Sequence, residues 1–189
     1  MNTAPENAHR LLAPRVAYLI GTRAADGTPN LIPVSNLTSI STDPQQIALA
    51  VYKQWKTHHN LITADGFTLS VPNIDQLAGV WKLGAKYSHY PYTDNEEKIS
   101  ASGLAIDYEI CSYGPILTDG IGWLTCRKLQ NIDFGGNHTL FIGHINQAHF
   151  NPHYLNPEGI PHTDTHPLMQ VTGNTFTTST RPQTIPYHN

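Results

Sequence analysis

Residues 33–44, "PVSNLTSISTDP", lie between the turn-forming "DGTPN" at 26–30 and the apolar run "QIALAVY" at 46–52. Short hydroxyl and amide side chains crowd the stretch: Ser35, Asn36, Thr38, Ser39, Ser41 and Thr42. Two readings are open. The residues form the polar face of an edge strand, or they form a cradle of donors and acceptors for a polar ligand. Either way, Val34, Leu37 and Ile40 are expected to point into the core while their polar neighbours face out.

Working outward, "RVAYLIGTRA" (15–24) reads as a strand, and Asp26-Gly27 turns it into a second strand over "TPNLIPVS" (28–35). "TDPQ" makes a further turn into the buried strand "QIALAVYK". "KTHHNLITADG" (56–66) reads as a short helix stopped at glycine, and "FTLSVPN" (67–73) as a strand. Helical spacing over 74–83 puts Ile74, Leu77, Val80 and Trp81 on one side. Another short helix is expected around Glu96–Ala101. From 104 to 150, three or four strands are divided by "SYGP", "TDG" and "FGGN", and one short strand is expected within "HPLMQVTGNTFTTS" before a loose tail.

Many short strands, frequent turns and few helices point to a mainly β fold, a barrel or a sandwich. The composition agrees: 39% hydrophobic and 13% charged residues, with 14 Gly and 14 Pro in 189 residues. A small barrel is filled by its own side chains, so a ligand belongs on the outside or at a subunit boundary. A net charge of −3 argues against a nucleic-acid partner. No segment reads as a signal peptide or a membrane span. Cys111 and Cys126 lack metal-ligand spacing and read as free thiols, which suits a cytoplasmic protein. The histidines suggest no metal site: only His149 and His153 are four apart, and Pro152 between them opposes a helix. Trp55, Trp81 and Trp123 are expected to pack, and Tyr87, Tyr90 and Tyr92 to cover a ligand or bury at a dimer contact.

The start of the helix at Lys56 offers unpaired backbone N–H groups and the positive end of a dipole, which suits a phosphate. Lys53 and Lys56 flank it, and Thr57 is placed to cap it or to donate to an anion. Upstream, Ser35, Asn36 and Thr38 supply donors and acceptors for a flat heterocycle. An elongated ligand with a polar ring and a phosphate would satisfy both groups.

In this order the chain resembles the flavin reductase-like family of FMN-binding split barrels, over about Val16 to Phe150. "YLIGTRAADGTPNLIPVSNLTSISTDPQQIALAV" is similar to the family's opening, and "KTHHNL" to its phosphate-side Lys-Asp-Thr-x-x-Asn-Ile. "EKISASGL" is similar to Asp-Lys-Phe-x-x-x-Gly-Leu, and "GWLTCRKLQNIDFGGNHTLFIGHI" to two strands around a Gly-Asp-His turn closing on Gly-Glu-Val. The chain departs from these patterns at three places: Trp55-Lys56-Thr57 stands for Lys-Asp-Thr, Asn137 for the Asp of the turn, and His144 for the Glu.

The resemblance implies a Greek-key split β-barrel with a few short helices. It implies one domain over 1–189, with a core of about 14–150 and a C-terminal extension over 151–189. It also implies a homodimer holding FMN, with NADH or NADPH as hydride donor. The isoalloxazine ring would meet the backbone and side chains of Ser35, Asn36, Leu37, Thr38 and Ser39. The phosphate would meet Lys53 or Lys56 with Thr57 and Asn60, and the donor would approach Asn137 and His138. Electrons would pass to free flavin, ferric iron, another small redox molecule or a partner oxygenase. No protein acid or base is required, because the flavin carries the chemistry. An FMN-binding electron carrier without NAD(P)H activity is the alternative, and a split barrel holding haem, another flat ligand or nothing is the third.

Overall fold

A computed structural model describes residues 5–84 and 94–180; Tyr87, Tyr90 and Tyr92 lie outside them. After a 3-10 helix over Pro5–Leu12 come two short strands, β1 (Arg15–Val16) and β2 (Tyr18–Arg23), followed by β3 (Pro29–Val34), β4 (Leu37–Thr42) and β5 (Gln45–Tyr52). Helix α1 (Lys56–Thr63) leads to β6 (Gly66–Val71), and a 3-10 turn over Ile74–Gln76 leads to α2 (Leu77–Leu83). Helix α3 (Asn95–Ser102) precedes a two-residue pair, β7 (Ile106–Asp107) and β8 (Ile116–Leu117). The long hairpin β9 (Gly122–Asp133) and β10 (His138–Phe150) follows. The chain then forms β11 (Met169–Thr172) and β12 (Thr175–Thr177).

Seven strands form one antiparallel sheet in the order β3-β2-β6-β9-β10-β5-β4. The two edge strands are consecutive in the chain, joined only by Ser35 and Asn36. Two residues span at most about 11 Å from Val34 to Leu37. The sheet must therefore curl until its edges nearly meet. The result is a Greek-key split β-barrel whose seam is the β3–β4 link.

Strand β2 shows how the sequence drives the curl. Ile20 packs inside the barrel with Val34, Leu49, Phe67, Leu69 and Phe141. Its neighbour Leu19 packs on the opposite face with Leu31, Val80, Leu83, Ile99 and Leu168, under α2 and α3. Both faces are buried, so the strand reads as a continuous apolar run rather than an alternation. At Gly21 a Cβ would lie 2.2 Å from Thr68 Oγ1 and 2.3 Å from the Pro115 carbonyl, so only glycine lets the 113–115 loop close on β2. Helix α3 is fixed locally: Asp94 accepts from the N–H groups of Glu96 and Glu97 at 2.7 and 3.0 Å, and Gly103 ends it at φ +71°.

The structure departs from the sequence reading at several places; the helix expected to stop at Gly66 ends at Thr63 with Ala64 as its cap, and Gly66 begins β6. Ile40 is 48% exposed rather than in the core. The β4–β5 register jumps between Ser39 and Ser41, and this bulge turns Ile40 out of the alternation that Val34 and Leu37 obey. The single strand expected near the C-terminus is a hairpin, β11–β12, and β1 joins it in a second, three-stranded sheet. The expected helix over 74–83 begins as a 3-10 turn. Cys111 and Cys126 are free thiols, with Cys126 buried and its thiol pushed up to about 12 by desolvation. The three tryptophans pack: Trp55 against the barrel core, Trp81 edge-on to Phe176 and Trp123 stacked on His149 at 5.3 Å. Among the described residues no helix is long and apolar enough to cross a membrane.

Candidate functional site

The seam residues are held from outside the barrel. Ser35 donates its hydroxyl proton to Gln170 Oε1 at 3.0 Å, and Arg15 Nη1 donates to Asn36 Oδ1 at 2.7 Å. The Asn36 carbonyl accepts from the Ala50 N–H at 2.9 Å, which places the start of β4 near the end of β5. Leu37 packs toward the barrel core, whereas Thr38 and Ser39 are exposed, with Thr38 bonded only weakly to the Ser39 carbonyl at 3.3 Å. Leu37 and Ser39 also border an apolar hollow of about 270 Å³ at the barrel mouth, beside Trp123, Ile145, His149 and Phe150.

Helix α1 begins differently from the sequence expectation. Its N-cap is Trp55, which offers no side-chain bond, and Thr57 is the second helical residue, fully buried. Thr57 does not cap because its Oγ1 faces inward and accepts from Asn30 Nδ2 at 2.8 Å. Asn30 also donates to Thr22 Oγ1 at 3.2 Å, and Asn60 donates to the same oxygen at 3.0 Å. The four residues form a buried polar knot tying α1 to β2 and β3. Its amides are satisfied through their donors, so the burial of Thr22, Asn30, Thr57 and Asn60 carries no orphaned amide nitrogen.

The lysines divide. Lys53 is paired with Asp133 at 2.8 Å, and the contact holds that carboxyl below its usual range. Lys56 is exposed at the first turn of α1. Lys98, on α3, is only 5% exposed, and desolvation first, then the nearby Lys56 charge, push its ammonium down to about 8. Lys53–Asp133 is the only ion pair among the described residues, so Lys98 meets no carboxylate there. The Lys56 charge acts on Lys98 and also on the Asp26 carboxylate, and an exposed ammonium beside the N–H groups of a helix start suits a phosphate. Lys98 belongs to the "EKISASGL" segment; its burial was the missing signal, since an Asn-Glu-Glu-Lys run reads as a solvated helix face.

The β9–β10 turn sits beside this helix start. Lys53 N–H donates to the Asn137 carbonyl at 3.0 Å, and His138 pairs with Tyr52 across the sheet, the rings 5.5 Å apart. His138 Nδ1 lies 2.6 Å from Asn137 Oδ1, and partial burial lowers its pKa. His58 Nε2 meets Thr139 Oγ1 at 2.9 Å and its ring packs edge-on against Phe141; desolvation, then His59 and Lys53, keep it below the ordinary imidazole range. No group of three His, Cys, Asp or Glu among the described residues is placed to hold a metal ion.

The structure thus brings Lys53, Lys56, Thr57, Asn137 and His138 to one end of β5, and Asn60 beneath them. Ser35 and Asn36 lie at the far end of β3 from Asn30, about 16 Å along the strand. Ser39 lies further along the edge strand, opposite Ile47.

Residues 10–178 match the family model described as the flavin reductase like domain. The chain is 26% identical over 129 residues to the reductase component of a 4-nitrophenol 4-monooxygenase/4-nitrocatechol 2-monooxygenase from Rhodococcus opacus, covering 68% of this chain and 63% of that one. It superposes on an FMN-binding protein from Thermus thermophilus with a TM-score of 0.80 at 20% identity, over 98% of both chains. Flavoredoxin of Desulfovibrio vulgaris superposes with a TM-score of 0.77 at 20% identity, over 99% of this chain and 98% of that one.

Proposed function

The chain belongs to the flavin reductase-like family, and we propose that it is an FMN-dependent oxidoreductase taking hydride from NADH or NADPH. Its electrons would go to free flavin, ferric iron or a partner oxygenase. The observation that carries the reading is the exposed Lys56 at the start of α1, with the buried Lys98 within reach of its charge, at one end of a surface whose other end is the polar seam.

FMN fits these residues. Lys56, Lys98 and the first N–H groups of α1 would hold the phosphate, with Thr57 and Asn60 fixing the helix from below. Ser35 to Ser39 would meet the ring, Leu37 through its backbone because its side chain is spent on the core. Lys53 is assigned instead to bracing the β9–β10 turn through Asp133, which sets Asn137 and His138 over the same end. When bound, the flavin supplies the hydride-accepting and electron-donating chemistry. The chain's own residues bind it, orient it and exclude water. Free thiols suit a cytoplasmic setting, and the apolar hollow at the barrel mouth suits cover by a second subunit in a homodimer.

A second reading, an FMN electron carrier without NAD(P)H activity, is favoured by one feature. His138 is tied through Nδ1 to Asn137 and turned onto Tyr52, so the turn offers a donor molecule little. A visible spectrum of the FMN-loaded protein, taken anaerobically before and after NADH and NADPH, separates the two. Bleaching by a nicotinamide supports the reductase. Bleaching by dithionite alone supports the carrier, and a protein that takes up no FMN contradicts both.

A further inference from the structure

The seam is polarised by residues remote from it in sequence. Arginine has no acceptor, so the 2.7 Å contact from Arg15 Nη1 obliges Asn36 to turn its amide oxygen toward β1. The Asn36 Nδ2 group is then left facing elsewhere as a donor, with no partner among the described residues. Gln170 is fixed in the same way. Its Nε2 donates to the Gly173 carbonyl at 2.9 Å, so Oε1 faces Ser35 and the Ser35 proton is spent on it. Ser35 keeps only its lone pairs for anything else. Both bonds come from the three-stranded sheet β1-β11-β12, and Arg15, whose Nε is also buried without a partner, forms no ion pair among the described residues.

We propose that Arg15 and Gln170 are positioning residues that present Asn36 as a donor and Ser35 as an acceptor to the pyrimidine edge of the flavin, an inference that rests on the flavin-binding reading above. That edge alternates carbonyl oxygen, N3–H and carbonyl oxygen. Adjacent donor and acceptor groups match a neighbouring carbonyl and N3–H, and a ring with the opposite polarity would leave both pairs unmade. The C-terminal strand β11 is thereby part of the ligand site, although it contributes no atom to it.

The test compares FMN with its N3-methyl analogue, which lacks the N3–H donor, by fluorescence quenching on the full chain. The wild type is expected to bind FMN about tenfold tighter than the analogue. Ser35→Ala and Gln170→Leu should both shrink that ratio to within about threefold, the latter because a freed hydroxyl rotates. Gln170→Glu, which still accepts from Ser35, should keep it. Arg15→Met should weaken both ligands about fivefold with the ratio unchanged and with the wild-type melting temperature retained, which separates it from a general loss of structure. A wild-type ratio near one overturns the proposal, as do variants with wild-type affinity and ratio. Failure of the wild type to bind either ligand removes the flavin-binding reading itself, whereas intact FMN binding with indifferent variants removes only this inference.

Discussion

The two ends of the candidate site are built in opposite ways. At the end proposed for the phosphate, four buried side chains from β2, β3 and α1 satisfy one another, with Lys56 exposed on the first turn of α1 and Lys98 buried on α3. At the end proposed for the ring no polar residue is fully buried, although the Arg15 Nε atom is. Two hydrogen bonds, from partners 21 and 135 residues away in sequence, hold the seam against an edge strand that is exposed from Thr38 to Ile40. Substitutions in the buried knot at the first end should therefore act on folding as well as binding, and substitutions at the second on binding alone.

The largest expected effect is at the knot. Asn30→Ala removes the donor shared by Thr22 and Thr57 and should cost about 3 kcal/mol in urea unfolding. A loss under about 1 kcal/mol would mean that water replaces the amide and the contrast is overdrawn.

Next comes Lys98. Its native pKa of about 8 lies below the ordinary 10.5 of the unfolded chain, so between those values the native state holds fewer protons than the unfolded one. On account of this group, stability is lowest below pH 8 and rises with pH above it. The difference between wild type and Lys98→Met should move in favour of the wild type by about 2 kcal/mol between pH 8 and 9.5. Parallel stability curves for the two proteins would contradict a desolvated ammonium at this position.

Lys56 is exposed and makes a smaller claim. Lys56→Ala should weaken FMN about fivefold and leave the melting temperature unchanged. Smallest of all, Thr38→Ala and Lys53→Ala should keep FMN affinity within about twofold, Thr38 because its one bond is long and exposed, Lys53 because its ammonium serves Asp133. A large loss of FMN at Lys53 would return the phosphate to that residue.

The same contrast explains what could be read from the sequence. The barrel was legible because its strands are apolar and divided by Gly, Pro and Asp turns, and the polar cluster at the start of α1 because Lys56, Thr57 and Asn60 lie within five residues of one another. The inward face of Thr57 was not legible, since nothing local shows that Asn30 waits beneath it. Ile40 was misplaced because a bulge breaks strict alternation without any residue type that marks it. Lys98 lay within a quoted motif, but its burial depends on how α3 packs on α2 and β3. Arg15 and Gln170 reach the seam only once β1 and β11 have paired, which is a property of the fold and not of any motif.

The central claim is that the site is anchored by phosphate at Lys56 and Lys98 and reads a flavin ring at the seam. Affinity for FMN against riboflavin, measured by fluorescence quenching in the wild type and in Lys98→Met, tests it most directly. The wild type should prefer FMN by at least about tenfold, and Lys98→Met should bring the two ligands within about threefold while riboflavin affinity stays the same. Equal binding of FMN and riboflavin by the wild type, or a preference untouched in Lys98→Met, would contradict it.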